Sequence, residues 1–528
     1  MRAGPAIRGL TLALATAGCS NLDDGGAAAA AGSTDSGADT TDHATTSGEA
    51  TDGVDDSGAD APIVTAEVTL HGGQPMVVDV ELTTAAISSV SVVHDADPGV
   101  VVARTDDGRD PSVARFRVRG LLPATTHILR YEVVAEQGGQ PVVGEVAVQT
   151  LPPLPGFVHA FDVDGDRSAA DDSYRMFDLT PFPLAEHNGV FMVDLEGTTR
   201  FYLCDVNDTV GPAMVWASVE LLDDGSLAYL QGNELRIVDE LGEVLLDLSD
   251  EEIGLTGLHH EIVPLDNGNF LALSYTFRWI DYPVEGPLYV AGDLVVEITP
   301  DGDVVWTWDS FDHLDPNHRP HGFFELGQIT DPTTGKSGHD WTHGNGIEYT
   351  AADDTLLLSL RHQDWIVAID RATRDVVWRL GPEGDFALVG GDRWFYHPHS
   401  PQWQPDGSLL LYDNGVGNPD IADDVEYARA VRYVLDESKM TATQVWTDDA
   451  EPFLSPVAGD ADRLPGGHLQ ILDSTVVAAP GDFGSMYSRI RELDPTASPM
   501  AVWTLTPPGQ HMAYRATAHD RLAGQPRG

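Results

Sequence analysis

His260 lies eight residues before Gly268, and His399 lies eight before Gly407, each heading an apolar stretch that runs into a turn glycine. Ala217 and Gly459 hold the same place before Gly225 and Gly467, so the position itself does not require an imidazole. The stretch Trp341-Thr342-His343-Gly344-Asn345-Gly346-Ile347 lacks the glycine turn, and alignment on its strand puts His343 in the same column. A histidine that recurs where Ala and Gly also serve points to chemistry rather than to packing. Three imidazoles that meet can attack an electrophilic centre, pass protons or hold a divalent ion. Neighbouring histidines carry less weight. His259 and His397 are expected as loop or supporting residues, and His313, His318, His321 and His339 as solvated side chains of the loop-rich stretch from Asp309 to Asp340.

A repeat would bring such strands together. Apolar hairpins recur from Val190 to Leu203, Leu235 to Leu248, Leu294 to Trp308, Trp365 to Leu380, Ala428 to Trp446 and Ile490 to Leu505. Between them lie units built on Asp223-Asp224-Gly225, Asp266-Asn267-Gly268, Pro405-Asp406-Gly407 and Pro465-Gly466-Gly467, each followed by a Leu-rich strand. One hairpin and one such unit make a four-stranded blade, and a ring of blades leaves no long free edge. The predicted class is therefore all-β, with a six-bladed β-propeller over residues 156–528 whose inner strands converge on a central channel. The first hairpin has no inner unit ahead of it and the tail from His511 to Asp520 has no hairpin after it. The two ends are expected to complete one blade together.

Residues 62–154 alternate apolar and polar side chains in short runs, such as Val64-Thr65-Ala66-Glu67-Val68 and Ala114-Arg115-Phe116-Arg117-Val118, and predict a small fibronectin-III-like β-sandwich. Residues 19–61 are Ala, Gly, Ser, Thr and Asp with little to bury, which predicts a flexible tether. Residues 1–18 read as a secretory leader: Arg2 and Arg8 supply the positive start, and the apolar run from Leu10 to Ala17 is too short to span a bilayer. Thr16-Ala17-Gly18-Cys19 resembles a bacterial lipobox with Cys19 as the lipidated residue. The expected protein is exported and anchored by lipid to the bacterial cell envelope. That leaves Cys204 alone, without a disulfide partner, as a small buried hydrophobe.

The formal net charge is −55, and of 29 basic residues only Lys336 and Lys439 are lysines. Such a surface repels phosphate backbones, which excludes nucleic acid as a partner, and reads as solubility in a salty medium. An anionic substrate would need a local cationic trap made of Arg or His.

Several motifs, in order, resemble the arylsulfate sulfotransferase family. They are His259-His260-Glu261-Ile262 ahead of Asn267-Gly268-Asn269-Phe270, then Asp340-Trp341-Thr342-His343-Gly344-Asn345, then Ser359-Leu360-Arg361-His362-Gln363-Asp364-Trp365-Ile366, then His399 ahead of Pro405-Asp406-Gly407 and Tyr412-Asp413-Asn414-Gly415, and finally Tyr514-Arg515-Ala516. The resemblance runs from about Gly189 to Asp520, and a small N-terminal β-sandwich is also a feature of that family. It implies a PAPS-independent, ping-pong transfer of a sulfuryl group from an aryl sulfate donor to a phenolic acceptor through a sulfohistidine, with no cofactor and no metal. His399 matches the nucleophile, and His260, His343 and Arg361 match the other active-site positions. Two departures stand out: Pro398 precedes His399 where the family often carries Gln, and Glu261 follows His260 where Asp is common.

Those residue types suit the chemistry. Sulfuryl transfer, like phosphoryl transfer, passes through a loose transition state, so alignment and charge stabilisation on the oxygens dominate. A neutral imidazole attacks near neutral pH, since its reference pKa is about 6.5. Arg361 forks onto two oxygens of the sulfuryl group. His260 or His343 supplies the leaving phenolate with a proton, and the sequence leaves the choice open. Asn345 is expected to contact substrate or orient an imidazole. Two other readings stay open: a metal-dependent propeller lyase or hydrolase using the histidine cluster, and a non-catalytic binding propeller.

Overall fold

Tight glycine turns set the strand pairing. Gly225, Gly268, Gly407 and Gly467 have φ of 92, 85, 78 and 94°, and the amide of each donates to the carbonyl three residues back at 2.9 Å. A side chain is strained at such a φ, which is why glycine recurs there. The turns fix the registers Leu221↔Leu227, Pro264↔Phe270, Trp403↔Leu409 and Arg463↔Leu469.

The computed structural model describes residues 63–527 except 137–139, 182–188, 205–215, 323–326, 420–426, 449, 451 and 480–481. The predicted leader, Cys19 and the tether lie outside these residues. The chain is all-β: among the described residues the helical pieces are Ser310–His313 and two 3-10 turns, Arg361–Gln363 and Phe483–Ser485.

Residues 65–149 form one sheet of four strands and one of three. The four-stranded sheet runs Thr65–Leu70, Val78–Thr83, Val113–Arg119, Val101–Arg104, and the other runs Ile87–Val93, Thr126–Ala135, Val142–Gln149. Val78, Val80 and Leu82 face Leu129, Tyr131 and Val133 in the core between them. The fourth strand pairs with the fifth, so the split is four and three, as in constant-type immunoglobulin sandwiches. Arg117 and Arg119 reach out of this unit to the Glu240 carboxylate, at 2.6 and 2.9 Å.

Six sheets follow. The first holds Tyr174–Pro181, Gly189–Val193 and Thr199–Leu203, and the second Trp216–Leu221, Leu227–Gln231, Glu234–Val238 and Val244–Ser249. The third is built on Leu258–Pro264, Phe270–Tyr282, Gly286–Ile298 and Val304–Asp309. The fourth contains Gly344–Thr350, Thr355–Leu360, Trp365–Asp370 and Val376–Leu380. The fifth contains Pro398–Trp403, Ser408–Asp413, Arg429–Asp436 and Thr441–Thr447, and the sixth Asp460–Arg463, Leu469–Val476, Tyr487–Leu493 and Ala501–Thr506. Central strands are buried on both faces, which explains their continuous apolar runs. Leu356 and Leu358 pack toward Leu271 and Leu273 of the third sheet, while Leu357 packs toward Leu409 and Leu411 of the fifth. Each sheet meets the next in this way, and the last meets the first where Leu472, Ile490 and Trp503 join Phe177 and Phe191.

The chain ends cross over at that junction. Ala516–His519 pairs with Tyr174–Pro181, and Asp162–Gly165 pairs with Ala501–Thr506. The tail thus shares a sheet with the first hairpin, as its unpaired state in the sequence implied. The strand Tyr174–Pro181 between them was not among the expected units. The junction also carries an ion pair with no exposure, Arg175 with Glu492 at 2.6 Å. Breaking a sealed pair strands the remaining charge, so Glu492→Gln is expected to destabilise the fold by about 3–5 kcal/mol. Chemical denaturation checks this; a change under about 1 kcal/mol would contradict it.

Candidate active site

Bulges at the heads of the inner strands aim side chains off the sheets. In Leu258–Pro264 the ladder passes from His259↔Leu273 to Ile262↔Ala272, so His260 and Glu261 stand out of register. His260 has φ 58°, and Ser218 and Ser400, at the corresponding bulges, have φ 49 and 47°. Such a conformation is costly for a non-glycine residue and is typical of re-aimed functional side chains.

This geometry revises the single histidine column. By ladder position His399, opposite Tyr412, corresponds to His259, opposite Leu273. His343 and His397 instead correspond to each other: both have positive φ, 51 and 54°, immediately before a strand. Counting back from the turn glycine misaligns them because the bulge at His260 absorbs one residue more than the bulge at Ser400. The imidazoles still converge.

They form a row. His259 stacks on Tyr275 at 3.9 Å, and the row continues through His260, His343, His362, His397 and His321, with successive ring centroids 5.0, 4.9, 4.5, 6.2 and 4.5 Å apart. Carboxylates lie along it. Asp293 is 3.3 Å from His259 Nε2, and Asp340 accepts from His343 Nδ1 at 2.5 Å. Burial opposes the charge on Asp340, but the attraction of His343 and His362 outweighs it and lowers its pKa to about 2. Asp340 is therefore ionised beside His343 at neutral pH.

His399 is almost wholly buried. Its Nδ1 donates to the His397 carbonyl at 3.3 Å. A proton held there leaves the lone pair on Nε2, which has no hydrogen-bond partner among the described residues and is not among the sealed unpaired atoms. Burial, with the charges of Arg515 and Arg361 and the nearby His343, holds this imidazole well below its ordinary range. His260 is shifted the same way, by burial and then by His343, His259 and His399.

Arg361 opens the 3-10 turn after Thr355–Leu360. It donates to His362 Nε2 at 2.9 Å and to the Pro456 carbonyl at 3.1 Å. No carboxylate among the described residues lies within ion-pair distance of it, so the cation is not spent on a salt bridge. Burial lowers its pKa to about 10, and it remains charged at neutral pH.

Asn345, expected as a substrate contact, is fully enclosed. Its amide donates to the Pro398 carbonyl at 3.0 Å and its oxygen accepts from Ser359 at 2.5 Å. It acts on the site by holding the strand of His399. The loop histidines also depart from expectation. His318 stacks on Trp365 at 4.1 Å and bonds Gln363 at 2.7 Å, while His321 meets Asp364 at 2.7 Å. The segment that carries them covers one flank of the row.

Sequence reasoning left Arg515 without a role. It is buried, paired with Glu261 at 2.8 Å, and donates to the carbonyls of Asn345 and Gly459 at 2.6 and 3.2 Å. Asp178 anchors it by accepting the amides of Tyr514 and Arg515 at 2.7 and 3.0 Å. The available signal was an arginine in a tail that had to return to the first sheet.

Known proteins resemble this arrangement in sequence. The family described as Arylsulfotransferase (ASST) matches residues 165–515. A relative from Escherichia coli O6:H1, named Arylsulfate sulfotransferase AssT, is 26% identical over 367 residues, 56% of this chain and 59% of the relative. A protein of the same name from Lelliottia amnigena is 26% identical over 343 residues, 53% of this chain and 55% of its own length. The aligned part thus spans little more than half of either relative. Among solved structures, a Bacteroides caccae protein of unknown function aligns at 12% identity over 66% of this chain and all of its own, with a TM-score of 0.42, too loose to bear on the fold.

Proposed function

This chain belongs to the arylsulfotransferase family, and from that premise we propose that it moves a sulfuryl group from an aryl sulfate to a phenol, without PAPS, in two steps through His399. The observation that carries the reading is the bare Nε2 of a neutral, buried His399 whose Nδ1 proton is tied to a carbonyl, with the unpaired cation Arg361 near enough for its charge to act on that ring. In the first step Nε2 attacks sulfur, the S–O bond to the aryl group breaks, and the phenolate leaves with a proton. In the second a phenol attacks the sulfuryl group, the N–S bond breaks, and the phenol proton returns to the enzyme. Arg361 neutralises charge on the sulfuryl oxygens in both steps.

The proton passes through His343. With Nδ1–H held by the ionised Asp340, His343 enters the first step as an imidazolium, gives its Nε2 proton to the leaving phenolate, and takes the phenol proton back on Nε2 in the second step, whereas His260 is bound to the neutral His259 at 2.8 Å and acts as a hydrogen-bonding partner. His343→Ala is then expected to slow the first step by roughly 10²–10⁴-fold for aryl sulfates with basic leaving groups, and far less for nitrophenyl esters, which need no proton. Equal losses for both would contradict the assignment.

The reading includes a six-bladed propeller formed by the six sheets, a small β-sandwich at 62–154 with the constant-type immunoglobulin strand split in place of the expected fibronectin-III-like one, and a lipid-anchored exported chain with a leader at 1–18, Cys19 acylated and a tether at 19–61. Support for the ring is the packing of each sheet on the next and of the last on the first. The intact mass of the mature chain tests the acylation. The activity is tested by mixing purified protein with a chromogenic aryl sulfate and a second phenol; failure to form the new sulfate ester across several donors would overturn the reading.

A metal hydrolase working through Asp340, His343 and His362 is disfavoured by one contact. His362 spends Nδ1 on the Asp340 carbonyl and Nε2 on the Arg361 guanidinium, which leaves it no free nitrogen for an ion.

A further inference from the structure

The far end of the imidazole row holds a group that sulfuryl transfer does not use. His321, Asp364 and His397 each offer a ligand atom, and these atoms lie within 4.8 Å of one another. They come from three parts of the chain: the segment after Ser310–His313, the residue that ends the Arg361–Gln363 turn with φ 54°, and the residue before Pro398–Trp403, also with φ 54°. Left-handed backbone at both Asp364 and His397 means that the fold bears strain to point these side chains together.

Two of the three are oriented from behind. The His397 amide donates to Asp364 Oδ1 at 2.8 Å, and His397 Nδ1 donates to the Val416 carbonyl at 3.0 Å. The lone pair of His397 is thereby left on Nε2, which has no partner among the described residues. Metal-binding histidines are typically held by a backbone carbonyl on the other nitrogen in this manner. The second oxygen of Asp364 meets His321 Nε2 at 2.7 Å, sharing a proton where an ion could sit.

We propose that His321, Asp364 and His397 bind one divalent transition cation of the zinc type, which ties the segment around His321 to the head of the His399 strand. The ion replaces the proton between His321 and Asp364, and the donor atoms close to about 2.0–2.2 Å from it. Two imidazoles and one carboxylate match borderline cations such as Zn²⁺, with open positions for water, whereas Ca²⁺ and Mg²⁺ demand oxygen ligands. Arg361 opposes a cation at this end. The Asp364 carboxylate faces the ion directly, and the net charge of −55 raises the local concentration of cations.

Zinc content tests the proposal independently of any transfer activity. The full chain is stripped with a chelator, dialysed against Zn²⁺ at moderate ionic strength and analysed for metal per chain, with a chromophoric chelator as competitor for affinity. The expected result is one zinc per chain held at micromolar strength or tighter, lost in His321→Ala and Asp364→Asn and kept in His343→Ala. Should those variants fail to fold by circular dichroism, X-ray absorption of the zinc-loaded wild type decides, with two imidazoles expected around the ion. No retained zinc, an ion without imidazole ligands, or weak uptake at many sites that His321→Ala leaves unchanged would overturn the proposal.

Discussion

Replacing His399 with alanine is expected to abolish the burst of phenol released from an aryl sulfate, with a loss of roughly 10⁴-fold or more in the first step. The size follows from the role: His399 holds its proton on Nδ1, presents a bare Nε2 and is the ring that matches the family's nucleophile, whereas His397, which also has a carbonyl on Nδ1, lies at the His321 end of the row. His343 and His260 lie close by, yet the first is committed through Nδ1 to Asp340 and the second to His259. The fold should survive, because the one hydrogen bond lost is a long one, 3.3 Å, to the His397 carbonyl, and such a bond contributes about 1 kcal/mol. A folded His399→Ala protein that still transfers at a tenth of the wild-type rate would remove the nucleophile from the account.

Arg361→Ala has the second largest expected effect, roughly 10²–10³-fold on transfer. Arg361 and Arg515 are the two arginines whose charge acts on His399, and Arg515 is neutralised by Glu261. Arg361 alone of the two keeps an unpaired charge for an anionic group. Its fork also holds His362, so Arg361→Lys should recover little, since an ammonium cannot serve both the ring and two sulfuryl oxygens. Added guanidinium should restore part of the rate in Arg361→Ala, which separates loss of charge from collapse of the turn. Measured with donor and acceptor varied separately, the defect should appear in both steps; a defect confined to one would contradict a cation that serves the sulfuryl group throughout.

The architecture was legible wherever alternation ended in a glycine turn. The turns at Gly225, Gly268, Gly407 and Gly467 give the registers directly, and the orphaned tail after His511 announced that the ends share a sheet. Less legible was anything set by bulges. His260, His343, His397 and Ser400 adopt left-handed backbone without being glycine, and composition carries no mark of that choice, so His260 was paired with His399 when the ladder pairs His259 with it. The loop histidines misled for another reason. The stretch from Asp309 to Asp340 has the polar composition of a solvated loop, but Gln328–Thr330 and Ser337–Asp340 extend the third sheet, and His318 and His321 are folded onto Trp365 and Asp364. Burial there is decided by partners distant in sequence. Asn345 shows the converse: its type suggested substrate contact, while its enclosure makes it a brace for the strand of His399.

In the proposed cycle the sulfuryl group rests on His399 between donor and acceptor. Mass spectrometry of the protein after a brief reaction with an aryl sulfate and no acceptor tests it most directly. One sulfuryl adduct per chain is expected, mapped to the peptide containing His399, absent in His399→Ala and discharged when a phenol is added. Turnover that proceeds with no adduct on any histidine, or an adduct on His260 or His343 that a phenol discharges at the same rate, would contradict it.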